Sequence, residues 1–149
     1  MTSMRRPVLI FLLAAAALSC SRPSSQEPFV TREKAEYGDT YNFTLPMDDS
    51  TRSYSLAFYT RLERKPLVPF STDSVILEVR FVSPSDSVVQ DKVVMRFGHP
   101  TDSSYYSRAF AFRYKDRLEV GEYGDWRLKV RVPGNPEELR GMGIIFRRK

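Results

Sequence analysis

The fold class is indicated most clearly by residues 126–132, which read WRLKVRV. Apolar and basic residues alternate there at every position, so one side of the segment is apolar and the other side is charged. Successive side chains of a β-strand point to opposite faces of a sheet. This period of two therefore predicts a strand with one face on a core and the other toward water.

The same alternation recurs along the chain from residue 37 onward, and turn-forming residues separate the alternating runs. One separator, Ser83-Pro84-Ser85-Asp86, predicts a hairpin. The runs predict about seven strands, near residues 41–46, 53–62, 74–82, 87–96, 105–114, 123–132 and 139–147. We therefore expect an all-β domain over residues 37–149, an antiparallel two-sheet β-sandwich that is immunoglobulin-like or jelly-roll-like, with a barrel as the alternative.

Glycines and aromatic residues mark the last two predicted strands. Gly121, Tyr123 and Trp126 open the first of these strands, and Gly141 and Gly143 share one side of the second. Two glycines on one side of a strand predict room for a bulky neighbour, here Trp126 or Tyr123, or a β-bulge. Apolar groups on both faces of residues 142–146 predict that the last strand is interior to its sheet.

A secretory signal precedes the domain. Arg5 and Arg6 come before an apolar run at residues 8–18, and Ser19 stands directly before Cys20, the one cysteine of the chain. The run has eleven residues, whereas a membrane-spanning helix needs about 20. The order resembles a bacterial lipoprotein signal, in which the cysteine is acylated and becomes the first residue, and an ordinary signal cut at the same bond is the alternative.

A lone cysteine cannot form an internal disulfide, and lipidation accounts for it. We therefore expect a signal peptide at residues 1–19 and lipidation of Cys20. Residues 20–36 are rich in serine, proline and charge, which predicts a flexible tether. Loss of the two signal-peptide arginines lowers the formal net charge from +5 to +3. A charge of +3 is too small to favour a nucleic-acid partner, and export from the cell makes such a partner still less expected.

No residue pattern predicts a catalytic or metal site. His99 is the one histidine, and it lies in a Gly-His-Pro turn with no spaced partner. The carboxylate pairs at residues 48–49 and 137–138 lie in predicted turns. Asp48, Asp49 and Asp73 offer oxygen ligands for calcium but lack the spacing of a calcium loop. We therefore expect no catalytic residue, no metal and no cofactor. A small hydrolase is less favoured than an interaction protein or a carbohydrate-binding module.

Two surface features predict contacts with a partner. Arg127, Lys129 and Arg131 share one face of a strand, and further cations follow at residues 147–149. If the last two strands pair, these cations lie on neighbouring rungs and could contact lipid phosphates or an acidic partner, although a solvated face is the plainer interpretation. The chain is also rich in tyrosine. Tyr59, Tyr105 and Tyr106 are candidates for an exposed aromatic row that would contact a protein or a carbohydrate.

Several short motifs occur together over most of residues 41–146. They comprise a tyrosine strand from Tyr54 to Arg61, the Ser83-Pro84 turn followed by Asp91, and a set of single residues. That set is Cys20, Gly121, Tyr123, Leu139, Gly141 and Gly143. The motifs resemble the gliding-motility lipoprotein H family (GldH-like) of Bacteroidetes.

The resemblance implies an accessory lipoprotein of the gliding and protein-secretion machinery, attached to the outer membrane through Cys20, in contact with other envelope proteins and without known catalysis. No acidic run follows Cys20, which favours a periplasm-facing anchor over the cell surface. The alternative is a carbohydrate-binding or glycan-uptake accessory lipoprotein. An exposed aromatic row on one sheet face would favour that alternative.

Overall fold

The structure is a computed structural model that describes residues 24–149, so Cys20 and the predicted signal peptide at 1–19 lie outside the described residues. The described part contains one short 3-10 turn, Arg32–Lys34. It forms ten strands: β1 Ser25–Gln26, β2 Phe29–Thr31, β3 Thr40–Met47, β4 Tyr54–Glu63, β5 Ser74–Val82, β6 Val88–Arg96, β7 Asp102–Ser103, β8 Ser107–Lys115, β9 Gly124–Arg131 and β10 Leu139–Arg148.

The strands form two antiparallel sheets. Sheet A has the order β1-β10-β4-β8-β7, with β2 also paired to β10, and sheet B has the order β3-β9-β5-β6. The sheets are separate, so the two-sheet sandwich is confirmed and the barrel alternative is wrong. All seven predicted strands are present as β3, β4, β5, β6, β8, β9 and β10, with ends within two residues of those expected. The predicted hairpin joins β5 to β6, where Val82 pairs with Val88.

The core lies between the inner faces of the two sheets. Alternate residues of β4 and β9 are buried, and the side chains of residues 126, 128 and 130 point inward as their period of two predicts. Trp126 closes one end of this core, and its Nε1–H donates to the carbonyl of Glu122 at 2.8 Å. Thr60 is the polar residue on the inner face of β4, and its hydroxyl donates to the carbonyl of Gly141 at 2.6 Å.

The structure corrects the expected neighbours of the two glycines in β10. β10 is interior to sheet A, between β4 and the short strands β1 and β2, and its register shifts between residues 139 and 142 as a bulge would. A Cβ on Gly141 would lie 2.6 Å from two ring atoms of Phe29, and a Cβ on Gly143 would meet the ring of Tyr59 closer than 3.0 Å. The bulky neighbours are therefore Phe29 and Tyr59. Trp126 and Tyr123 were the wrong candidates, because β9 belongs to the other sheet.

The structure also corrects the part of the predicted tether that lies within the described chain, residues 24–36. Residues 25–31 pair with β10, and Arg32 donates to the carbonyls of Asn135 at 2.9 Å, Leu139 at 3.1 Å and Pro136. Val30 and Ala35 pack against the core. Backbone pairing and one arginine hold this polar segment on the domain. Residues 25–36 therefore belong to the folded unit, which the sequence pattern had placed at 37–149. Residues 21–23 separate Cys20 from the described chain.

Candidate functional site

The predicted basic row lies on the outer face of sheet B, and each of its cations has a carboxylate partner. Arg131 donates to Asp39 at 3.0 Å and to Glu78 at 2.9 Å. Bonds to Glu78 and then Asp39 raise the pKa of Arg131. The Nζ atom of Lys129 lies 3.6 Å from Oε2 of Glu36. Most of the row's positive charge is therefore balanced within the domain.

Arg127, the third cation of the row, also has a carboxylate partner, because it donates a hydrogen bond to Asp86 in the turn after β5. Two neighbouring cations lack such a partner: within residues 24–149, the side chains of Arg80 and Lys92 form no ion pair. Arg80 lies beside Lys129 across the β5–β9 pair, and Lys92 lies beside Glu78 across the β5–β6 pair. The available positive charge of this face thus comes from residues that the sequence pattern did not single out.

These cations line a shallow concavity of about 780 Å³ on the outer face of sheet B. Gln90 contributes an amide to the lining, and Tyr37 stands at the rim with 91% of its surface exposed. Residues of β5, β6 and β9 line this concavity together with residues 36, 37 and 40, so the pattern of a single strand could not reveal it. Polar groups around an exposed ring can hold a polar ligand.

The other predicted cations lie elsewhere. β9 and β10 belong to different sheets, so Arg147, Arg148 and Lys149 are not on rungs beside the basic row. Their backbone instead pairs with β4 and β1, and the N–H of Arg148 donates to the carbonyl of Ser24 at 2.8 Å. The conditional prediction of one continuous basic surface is therefore wrong.

Tyr59 is not part of an exposed aromatic row. Its ring covers Gly143 and stacks on Phe29, with the ring centroids 5.5 Å apart. Its hydroxyl donates a hydrogen bond to the carbonyl of Glu27 at 3.0 Å. Burial raises the pKa of this tyrosine. Tyr59 therefore acts as a strap that holds the N-terminal segment on sheet A.

Tyr105 and Tyr106, in contrast, are exposed and in contact with each other. Their exposed fractions are 62% and 47%, and their rings meet edge to face at 90° with centroids 4.6 Å apart. The guanidinium carbon of Arg64 lies 4.6 Å from the Tyr105 ring centroid, and its Nε–H donates to the Tyr105 carbonyl at 2.8 Å. These interactions fix the Tyr105 ring in place before any partner arrives.

The exposed aromatic surface extends into the loop after β4. Arg108 stacks over Phe70, with its guanidinium carbon 4.5 Å from the ring centroid. Leu67 is 92% exposed and has a left-handed backbone with φ of 64°, a conformation that is unfavourable for leucine. We call the whole group the distal cluster: Arg64, Leu67, Val68, Phe70, Tyr105, Tyr106 and Arg108.

The distal cluster lies at the end of the sandwich opposite Ser24. β4 runs from Tyr54, which pairs with Arg148, to Glu63, whose neighbour Arg64 contacts Tyr105. Ten residues of strand span about 30 Å. The chain therefore enters the domain at one end and presents its exposed aromatic residues at the other.

The lateral opening between the two sheets contains a polar contact between an exposed carboxylate and a half-buried tyrosine. Tyr114 of β8 donates its hydroxyl to Asp91 of β6 at 2.6 Å, beside a groove of about 300 Å³. Burial and then Asp91 raise the pKa of Tyr114, and the Tyr114 hydroxyl lowers the pKa of Asp91. Asp91 points inward on an edge strand and Lys92 points outward. Charges placed in this way protect an edge against pairing with another chain.

The carboxylate pairs noted in the sequence serve local structure. Glu138 accepts hydrogen bonds from Ser71, and these bonds, together with those from Thr72, hold the pKa of Glu138 below its usual value despite burial that opposes them. Glu137 lies 3.3 Å from Lys65 on the surface. Within residues 24–149, no group of three or more histidine, cysteine, aspartate or glutamate side chains could hold a metal ion.

None of the helical segments in the described chain is long and apolar enough to cross a membrane. No family model matches the sequence, and no curated protein matches it. Among solved structures, the chain is similar to the enzymatically active domain of tailspike protein 4 from bacteriophage CBA120, with a TM-score of 0.36 and 16% identity over 74% of this chain. The chain spans 14% of that protein's length, and a likeness this distant carries no argument about activity.

Proposed function

We propose that the protein is a non-catalytic, lipid-anchored envelope protein that binds another envelope protein through the distal cluster. The anchor would be Cys20 and the location the periplasmic side of the outer membrane. The sequence resemblance extends the proposal to an accessory role in gliding motility or protein secretion. The exposed Tyr105–Tyr106 pair, held by Arg64, is the observation that carries the proposal.

Tyrosine and arginine are the residues that most often dominate binding energy at protein interfaces. Here they occur side by side with exposed apolar groups, and intramolecular contacts already order them. An ordered aromatic group loses little conformational entropy on binding, so more of its contact energy appears as affinity. The position far from the N-terminal segment would leave the cluster accessible on an anchored protein.

The test is cross-linking in intact cell envelopes, followed by identification of the proteins joined to the full chain. A photoreactive residue would replace Val68, which lies in the distal cluster but outside the tyrosine pair. We expect gliding or secretion components in the product. The double variant Tyr105→Ala/Tyr106→Ala should lower the yield about 30-fold, the loss of about 2 kcal/mol that defines an interface hot spot.

Tyr37→Ala is the matched control, because it removes an exposed tyrosine from the outer side of sheet B instead. It should leave the cross-linking yield unchanged. An unchanged yield in the double variant would contradict binding through the distal cluster. Full membrane attachment of a Cys20→Ser variant would contradict the lipid anchor.

The second candidate function is carbohydrate binding, and the concavity on sheet B favours it. The side chains of Arg80, Gln90 and Lys92 offer donors there, and Tyr37 offers an exposed ring. This candidate predicts recovery of glycan-uptake proteins, or of no protein, from the cross-linking. It also predicts binding on a glycan array that Tyr37→Ala abolishes and the Tyr105→Ala/Tyr106→Ala variant retains.

A further inference from the structure

The N-terminal segment enters the domain at a corner of sheet A. Ser25 pairs with Arg147, and the carbonyl of Ser24 accepts a hydrogen bond from the N–H of Arg148 at 2.8 Å. Lys149 exchanges backbone hydrogen bonds with Ser53 at 2.8 and 3.3 Å. A chain from Cys20 to Ser24 spans at most about 14 Å, because each residue adds no more than about 3.5 Å.

This corner carries a concentration of cations. Three of these cations pair with consecutive residues of β4: Arg147 with Ser55, Lys115 with Leu56, and Arg113 with Ala57. We call the group the cationic corner: Arg113, Lys115, Arg147, Arg148 and Lys149.

Carboxylates balance part of this charge. Asp116 lies 3.5 Å from Arg113, with both side chains mostly exposed, and Asp49 lies near Arg52 and Arg148. The side chains of Arg147 and Lys149 have no carboxylate partner anywhere in residues 24–149. Arg147 and Lys149 therefore supply unbalanced positive charge at the point where the N-terminal segment enters the domain.

We propose that the cationic corner rests on the phosphate groups of an anionic lipid surface and so orients the domain. The inference rests on the proposed lipid anchor at Cys20. The attraction of a cation to an anionic membrane falls off within the Debye length, about 8 Å at physiological salt. A flexible tether over residues 20–36, as the sequence predicted, would leave the domain farther than one Debye length from the membrane for much of the time. Because pairing of the described chain with β10 begins at Ser25, the connection from Cys20 is short enough to keep the corner near the headgroups.

Orientation has a functional consequence. The distal cluster lies about 30 Å from the corner along β4, so a domain held by its corner points Tyr105 and Tyr106 away from the bilayer. Lipid contact and partner contact then occupy opposite ends of the molecule. One anchored protein can engage both at once.

The experiment measures energy transfer between the domain and the bilayer. The full chain, lipidated in a bacterial host, is reconstituted into phosphatidylcholine vesicles with or without about one quarter phosphatidylglycerol, an anionic lipid. Acylation of the native cysteine leaves one introduced cysteine for a dye, in Ser50→Cys near the corner or Ser104→Cys near the distal cluster. The acceptor is a labelled lipid headgroup.

On anionic vesicles we expect strong transfer from the label at residue 50 and weak transfer from the label at residue 104. The difference should shrink on neutral vesicles, and also when salt rises from about 0.15 M to about 1 M, which shortens the Debye length to about 3 Å. Arg147→Gln/Lys149→Gln should shrink it too, because two lost cations weaken the corner's attraction about 30-fold. The control Lys65→Gln/Arg96→Gln removes the same charge at the other end and should leave the difference intact.

Each outcome has one meaning. Protein that floats with the vesicles but gives the same difference on neutral and anionic lipid overturns the corner proposal and leaves the anchor standing. Loss of the difference in the control variant as well as in Arg147→Gln/Lys149→Gln also overturns it, because net charge alone would then explain the effect. Protein that does not float with the vesicles overturns the lipid anchor, and the corner proposal with it.

Discussion

Replacing Gly143 with alanine should destabilise the domain by displacing Tyr59. The new Cβ would meet three atoms of the Tyr59 ring closer than 3.0 Å, and the ring is the movable end of a side chain. It can swing away, but it then loses the hydrogen bond to Glu27 and the stack on Phe29. These contribute about 1 kcal/mol each. Alanine recovers about 0.5–1 kcal/mol of backbone entropy in a strand, so the net cost is about 1–1.5 kcal/mol.

The assay is urea unfolding of the full chain, followed by the fluorescence of Trp126, the one tryptophan. The decisive comparison repeats Gly143→Ala in a Tyr59→Ala background. With the ring gone, the entropy term alone remains, and alanine should stabilise by about 0.5–1 kcal/mol. Gly121→Ala, which meets nothing within 4 Å, is the control and should be neutral or slightly stabilising. An equal effect of Gly143→Ala in both backgrounds would refute the strap interpretation of Tyr59.

Three further outcomes follow from the contacts described above. Arg32→Ala removes three charge-assisted bonds to carbonyls, so urea unfolding should show a loss of about 2 kcal/mol and hydrogen exchange of β2 should accelerate. Tyr54→Phe should cost about 1–2 kcal/mol, because the fully buried Tyr54 hydroxyl bonds both the N–H and the carbonyl of Asp49. Because the pKa of Asp91 is lowered in the fold, its contribution is present above about pH 4 and is lost as pH falls through the lowered value. Acid titration of stability should therefore be shallower in Tyr114→Phe.

Different results would contradict each of these. A domain as stable with Arg32→Ala as with Arg32 would mean that the backbone pairing of β1 and β2 alone holds the N-terminal segment. An unchanged unfolding midpoint in Tyr54→Phe would mean that water replaces both of its bonds. If stability fell equally with acid in Tyr114→Phe and in the unchanged chain, the Tyr114 hydroxyl would not stabilise the Asp91 carboxylate.

The strands of the sandwich were predictable because one face of each is buried. Burial on one face forces apolar residues to every second position, and that signal is strongest in β9 and β4. β1 and β2 gave no such signal. They are held at the edge of β10 by backbone hydrogen bonds, which any sequence can make, and by the contacts of Phe29 and Arg32. Composition therefore suggested a free tether where the chain forms part of a sheet.

The candidate sites were only partly predictable. Exposure of Tyr105 and Tyr106 followed from their excess over what a core can hold, but their contact with Arg64 joins residues about 40 positions apart. Tyr59 was grouped with them although its ring covers Gly143. Arg131 was a candidate for contact with a partner, yet Asp39, 92 positions away, neutralises it.

The sequence alone determined the all-β class, the places of seven strands and the turns between them, because the alternation of side chains is a local property of an extended chain. The tertiary structure decided which strands became neighbours. That choice placed β9 and β10 in different sheets, separated the basic row from the cationic corner, and set Gly143 under Tyr59. Strand partners are selected by packing between sheets and by backbone bonds between distant residues, and neither leaves a periodic mark in the sequence.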